Sequence, residues 1–262
     1  MPNPPVAFDV TDGVATVRID RPDAMCALDL ATKEGLLAAL RSAAQDPAAR
    51  VVVLTGTGRA FCVGQDLKEH VEGLKSGQVL SDTVVEHYNP IVELLATMPK
   101  PVIAAVNGVA AGAGASFAFA CDLRILADTA GFNTAFSAIA LSCDSGASWH
   151  LPRLVGVAKA KQLLLMPRTI PADEALELGL ATTVIPADTF ADEVAKVART
   201  LADGPTAAYG AIRQAVEYSA GHDLTQSLAF EADKMRLTGA TEDHRAAVDA
   251  FLAKEKPSFN GR

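Results

Sequence analysis

Residues 105–122 read AVNGVAAGAGASFAFACD, with no charged side chain before the closing Asp122. They overlap the end of the β-branched run Pro101-Val102-Ile103-Ala104-Ala105-Val106, so the chain passes from a strand through a glycine-rich turn into a helix of small residues. Gly108, Gly112 and Gly114 punctuate the stretch, and Ala113 and Ala115 have almost no side chain. At such a corner main-chain N–H groups can approach a ligand closely, and the helix start favours negative charge. A second segment, Ala60-Phe61-Cys62-Val63-Gly64-Gln65-Asp66-Leu67, repeats the order of apolar run, glycine and helix. Two such loops side by side offer two N–H donors to one oxygen, which is the design of an oxyanion hole.

Other readings of the stretch fit less well. Residues 102–121 form an uncharged run long enough to suggest a membrane span. Most of its positions are Ala or Gly, however, and Asn107-Gly108 splits it into a strand-sized and a helix-sized piece, as expected of a buried central element. Gly112-Ala113-Gly114-Ala115-Ser116-Phe117 lacks the third glycine of a dinucleotide fingerprint, and no G-x-x-x-x-G-K-[ST] follows a strand. Gly114-Ala115-Ser116-Phe117-Ala118 comes within one residue of a serine-hydrolase elbow, but Ala118 replaces its last glycine and no histidine can be assigned as its base. Ser116 therefore reads as a small residue facing a pocket or the core.

The 262 residues suffice for one large domain or for one domain with a small appendage. Half of them are hydrophobic and few are aromatic, which suits helices stacked on a largely buried sheet. A formal net charge of −8 argues against nucleic-acid partners while leaving room for an anionic ligand held by a few local cations. Cys26, Cys62, Cys121 and Cys143 form no C-x-x-C pair and read as reduced thiols of a cytoplasmic protein. The histidines, at positions 70, 87, 150, 222 and 244, have no metal-binding spacing, so no metal is expected. No secretory signal is visible at the N-terminus.

Along the chain, Val6 to Val10 and Val14 to Asp20 form a hairpin pattern around Thr11-Asp12-Gly13. Asp29 caps an expected helix carrying Leu30, Leu36, Leu37, Leu40 and Ala44, and Val51-Val52-Val53-Leu54-Thr55 reads as a fully buried strand. A helix over 81–97 precedes the central strand, and Leu123 to Ala127 forms another strand ahead of a loop-rich stretch through residue 150. Short helices at 158–166 and 172–178, a strand at 182–185 and helices from Phe190 onward complete the pattern. It describes an α/β body with a helical C-terminal appendage, whose spare apolar faces need the body or another subunit as partner.

Taken together, the motifs resemble the crotonase superfamily, the enoyl-CoA hydratase/isomerase fold. The likeness rests on Ile19-Asp20-Arg21-Pro22-Asp23-Ala24, Ala60 to Lys68, Pro99 to Gly108, Leu151-Pro152-Arg153-Leu154-Val155-Gly156, Ala175 to Leu180 and the closing Phe251 to Arg262. Within the superfamily, His87-Tyr88-Asn89-Pro90, Val109 to Ala115 and the tail look like the ring-1,2-epoxyphenylacetyl-CoA isomerase branch. The resemblance implies a spiral of ββα units over residues 1–200 that holds an acyl-CoA site. It implies a helical oligomerisation region over 201–262 that builds homotrimers, or hexamers made of two trimers. It also implies a coenzyme A thioester as substrate, with no separate cofactor.

Carried over residue by residue, the oxyanion-hole donors fall on the main-chain N–H groups of Gln65 and Ala113, with Gly64 and Gly114 beside them. The coenzyme A pocket falls on Ala24, Met25 and Cys26 and on Gln65, Asp66, Leu67 and Lys68. Asp66 and Lys68 read equally well as a helix cap and a solvated cation. Arg21, Lys254 and Lys256 read as surface charges with a possible second role on coenzyme A phosphates.

The two glutamates of the family's hydratases fall on Ser116 and Phe136, which cannot deprotonate water or supply a proton. Asp144, in Leu141-Ser142-Cys143-Asp144-Ser145-Gly146, stands where isomerase branches carry an aspartate, although Cys143 replaces the usual proline before it. One carboxylate suffices to move a proton between two carbons of an allylic system while an oxyanion hole holds the dienolate. The expectation is an isomerase that uses Asp144 as base, its pKa raised by burial near Leu141, Cys143 and Trp149. Capping of the following helix is the alternative role for Asp144. Phe117, Phe119, Phe132, Phe136 and Trp149 are candidates for an aryl pocket. A hydratase with its carboxylate elsewhere, and an acyl-CoA-binding protein without catalysis, are the rival functions.

Overall fold

The computed structural model describes residues 4–77 and 80–262. Strands β1 (Val6–Thr11) and β2 (Val14–Ile19) pair antiparallel, with Asp12 and Gly13 at φ +50° and +82°. Both central residues at positive φ is what a two-residue hairpin turn needs to match the twist of its strands. Helix α1 (Leu30–Gln45) starts where the Asp29 carboxylate accepts hydrogen bonds from the Thr32 amide (2.9 Å) and hydroxyl (2.6 Å).

Three further turns of chain repeat one plan. Each lays a strand in a large sheet, then a short strand in a second sheet, then helices. The first holds β3 (Val51–Gly56), β4 (Ala60–Cys62), α2 (Leu67–Ser76), α3 (Leu80–Thr83) and α4 (Asn89–Thr97). The second holds β5 (Val102–Val106), β6 (Val109–Ala111) and α5 (Ala113–Ala120). The third holds β7 (Leu123–Ala127), β8 (Gly131–Asn133), α6 (Ala147–Val155) and α7 (Val157–Leu165). After β9 (Ile170–Pro171), α8 (Ala172–Glu177) and β10 (Thr183–Ile185), the large sheet runs β1-β2-β3-β5-β7-β10 and is parallel except at β1. The second sheet runs β4-β6-β8-β9. This is the expected α/β spiral of ββα units.

Adjacent turns stack closely because of two residues at their bends. A Cβ at Gly108 would collide with the main chain of Arg59. Next to it, Asn107 donates to the Gly58 and Ala60 carbonyls (2.9 and 3.1 Å) and accepts from the Gly56 amide (3.1 Å), tying one turn to the next. Strands β3 and β5 are buried almost throughout, so their Val, Leu and Ile side chains fill both sides of the sheet.

The structure departs from the sequence reading in two places. The stretch expected to be loop-rich through residue 150 holds β8, a 3-10 turn (Phe136–Ile139) and the start of α6. β8 is too short to show alternation, and α6 contains Pro152 after two residues of positive φ, Ser145 and Gly146, so neither carries its usual signal. The single helix expected over 81–97 is broken by a π-helical segment, Val84–Tyr88, just ahead of Pro90. Pro90 has no N–H for the carbonyl four residues back, and the Asn89 amide instead bonds Val84 O, five residues back.

Helices α9 (Phe190–Ala202), α10 (Thr206–Ser219), α11 (Leu224–Gly239) and α12 (Glu242–Ala253) close the chain. Arg213 on α10 pairs with Asp122 (2.7 Å) and donates to the carbonyls of Leu95, Met98 and Lys100, fastening the helical region to the body. Helices α11 and α12 leave Leu224, Leu228, Met235, Phe251 and Leu252 exposed, the unpartnered apolar faces that the sequence anticipates. Among the described residues no helix is long and apolar enough to cross a membrane.

Candidate active site

A cavity of about 590 Å³ opens where the ends of the first two spiral turns meet the hairpin's exit segment, and all its lining residues fall between Arg21 and Asp144. Ala24 and Met25 form one wall, Val63 to Lys68 a second, and Gly112 with Ala113 the floor between them. Tyr88, Phe136, Leu141 and Asp144 complete the chamber.

The Gly64 carbonyl accepts a hydrogen bond from the Leu28 amide (2.8 Å), and the Asp66 amide donates to Leu28 O (3.1 Å). In a planar trans peptide the C=O and N–H point in opposite directions, so the Gln65 N–H is turned away from Leu28. Gly64 has φ +83°, and a Cβ on it would lie 3.3 Å from the Ala113 nitrogen and 3.1 Å from Ala111 O. The two glycine-rich loops are therefore in contact at this point, and only glycine leaves the space between them clear. Ala113 is the first residue of α5, after Gly112 at φ +52°, so its amide lies ahead of the helix's own hydrogen bonds. Among the described residues neither the Gln65 nor the Ala113 amide donates to a protein acceptor.

Gly114 is not part of the cavity lining, because its Cα packs on the carbonyl of Cys62 and lets α5 sit against β4. Cys26 also lies behind the wall, its thiol donating to the Ile19 and Thr57 carbonyls (3.3 and 3.4 Å). Neither of these two expected binding residues lines the cavity, and both pack directly behind residues that do. Arg21 is no free surface charge. It donates to Ala27 O (2.5 Å) and pairs with Asp29 (2.9 Å) and Asp66 (3.1 Å). Asp66 caps α2 through the Lys68 and Glu69 amides (3.0 and 3.4 Å). Burial alone would raise its carboxyl, but the hydrogen bonds from Arg21 and those amides outweigh it and hold the pKa below the usual carboxylate value. Lys68 and Leu67 are exposed at the mouth.

Asp144 is half-buried and faces the cavity. Among the described residues its carboxylate accepts only from the Ser145 hydroxyl (2.8 Å). Burial raises its pKa, with the Ser145 hydrogen bond opposing. The following helix is not capped by this side chain, since only the main-chain carbonyl of Asp144 accepts from the Ala147 amide (2.9 Å). Of the other lining carboxylates, Asp23 is exposed and Asp66 is tied to Arg21. Ser116 is buried outside the lining, its hydroxyl bonded to Gly112 O (3.1 Å).

Of the aromatic candidates only Phe136 lines the cavity, while Phe117, Phe119 and Phe132 are core. Trp149 lies outside the lining, bonded to Glu217 (3.1 Å) with Arg153 over its ring. Tyr88 was missed as a site residue: its spacing with Val84, Ile91 and Leu95 is that of an ordinary apolar helix stripe. Its hydroxyl donates to the Gln65 side-chain oxygen.

A family model described as enoyl-CoA hydratase/isomerase matches residues 9–262. The chain is 41% identical to 1,2-epoxyphenylacetyl-CoA isomerase of Escherichia coli, with 97% of each chain covered. It is equally, at 41%, identical to a Rhodobacter capsulatus protein named "Probable enoyl-CoA hydratase", with 98% of each covered. The crystal structure of an enoyl-CoA hydratase from Bacillus anthracis superposes with a TM-score of 0.90 at 32% identity, covering 98% of this chain and 100% of that one.

Proposed function

The chain belongs to the enoyl-CoA hydratase/isomerase family, and on that footing we propose that it isomerises a coenzyme A thioester. The substrate class is an enoyl- or arylacetyl-CoA, and the reaction moves a double bond or opens a ring epoxide. The carrying observation is that Asp144 is the one lining carboxylate neither exposed nor ion-paired, among the described residues. The thioester carbonyl sits against the Gln65 and Ala113 amides. Asp144, as carboxylate, takes a proton from Cα. Charge passes to the carbonyl oxygen, where each N–H contributes roughly 3 kcal/mol to holding the enolate. The resulting carboxylic acid returns the proton at a vinylogous carbon, so one group serves as base and then as acid. Coenzyme A enters as part of the substrate, along Ala24, Met25 and the Gln65–Lys68 loop, and no further cofactor takes part. The exposed apolar side chains of α11 and α12 support assembly as a homotrimer, or as a hexamer of two trimers, through residues 201–262.

A hydratase is the second reading, favoured by the equal identity to the Rhodobacter protein. Water addition needs groups to position and deprotonate the water and to protonate Cα, and Ser116 and Phe136 stand where the resemblance puts those groups. Isomerisation of a 3-enoyl-CoA measured beside hydration of crotonyl-CoA separates the two. Asp144→Asn is expected to lower isomerisation about 10²–10⁴-fold. Unchanged turnover in that variant, or crotonyl-CoA hydration as the faster wild-type reaction, sinks the isomerase.

A further inference from the structure

Behind the Gln65 loop lies a buried polar network that the proton-transfer steps do not use. Lys33, on α1, has a side chain only 3% exposed. Its ammonium donates to Glu69 Oε1 (2.6 Å), Thr83 Oγ1 (2.9 Å) and Gln65 Oε1 (3.5 Å). Glu69 Oε1 also accepts from Gln65 Nε2 (3.0 Å), and its Oε2 accepts from the Leu30 amide (2.6 Å). The Tyr88 hydroxyl donates to Gln65 Oε1. Both ends of the Gln65 carboxamide are thus held, the oxygen by Tyr88 and Lys33 and the nitrogen by Glu69.

The π-helical segment makes this possible. On a regular α-helix, residues 83 and 88 would lie about 140° apart around the axis. A turn closed by i to i+5 hydrogen bonds brings them towards one face. Thr83 therefore reaches Lys33 while Tyr88 reaches Gln65 and the cavity wall. A buried ammonium is a costly way to pack a helix, since desolvation costs several kcal/mol before pairing offsets it. What this arrangement adds over an apolar contact is directional restraint on Gln65, whose amide N–H points away from Leu28 and, among the described residues, donates to no protein acceptor.

We propose that Lys33 and Tyr88 are positioning residues that fix the Gln65 main-chain amide by clamping its side chain, Lys33 both directly and through Glu69. The inference rests on the thioester reading of the cavity. Its purpose there is to keep one oxyanion donor aimed while charge moves onto the carbonyl, so that no reorganisation is needed at that moment.

The test is difference infrared spectroscopy of bound phenylacetyl-CoA labelled with ¹³C at the carbonyl, together with kcat and KM for isomerisation. In the wild type the carbonyl band moves to lower wavenumber on binding. Lys33→Met and Tyr88→Phe are expected to lose much of that movement and to lower kcat about 10- to 100-fold, with KM changed less than about threefold. A full band movement and unchanged kcat in both variants overturns the proposal. If Lys33→Met does not fold, the near-isosteric Tyr88→Phe carries the test alone. No band movement in the wild type overturns the thioester reading itself, and this inference with it.

Discussion

Gly64 joins backbone conformation to chemistry at a single position. At φ +83° an alanine is strained, and its Cβ would press on the Ala113 nitrogen that the proposed mechanism uses. Gly64→Ala is expected to cost about 1–2 kcal/mol of stability and to lower turnover about a hundredfold or more, with denaturant melts and steady-state kinetics as the measurements. Asp144 shows the opposite relation between stability and use. Burial raises its folded-state pKa above the ordinary 3.8, with the Ser145 hydroxyl opposing, so the contribution it makes below pH 3.8 is lost as pH rises through the raised value. At neutral pH the ionised side chain is a net liability. Asp144→Asn is therefore expected to raise the melting temperature at pH 7 even as it lowers isomerisation, and a lowered melting temperature contradicts that account. In the wild type kcat is expected to fall with acidification through an apparent pKa above 3.8, as the base is protonated.

The strands and glycine bends could be read from the sequence because each has a local physical cause. Val51 to Gly56 and Val102 to Val106 are apolar on both faces, and Gly108 tolerates an approach that any Cβ would block. The π-helical segment could not be read this way, since it arises from Pro90 acting on the preceding turn inside an otherwise regular apolar pattern. Tyr88 was hidden by the same pattern, which is why the residue gripping Gln65 looked like ordinary packing. Pro90→Ala restores the missing N–H and is expected to favour a regular helix. Melting temperature should be held or slightly raised, because the substitution supplies a main-chain donor where proline has none. Turnover should fall about tenfold as Tyr88 rotates off Gln65. Unaltered kinetics would show that the bulge is incidental to the site.

Across the whole molecule, the helical region is joined to the body by the core face of α9, by Arg50, which donates to Thr206, Gly204 and Phe259, and by Arg213, whose side chain is 8% exposed and bonds one carboxylate and several carbonyls at the end of α4. Arg213→Met leaves those groups short of a donor and is expected to cost about 3 kcal/mol, read as a lowered denaturation midpoint. The sequence indicated that this region is helical and amphipathic, and the exposed Phe251 and Leu252 agree. It did not indicate which charged residues fasten it, since an arginine whose partners lie 91 to 118 residues away has no local signature. Every residue lining the chamber comes from the part of the chain ending at Asp144. Among the described residues the later helices thus act on the chamber only from outside its lining. Conversely, exchanging only the 135–141 segment between relatives offers a compact route to new acyl selectivity, because it replaces one wall and leaves the carbonyl clamp and Asp144 in place.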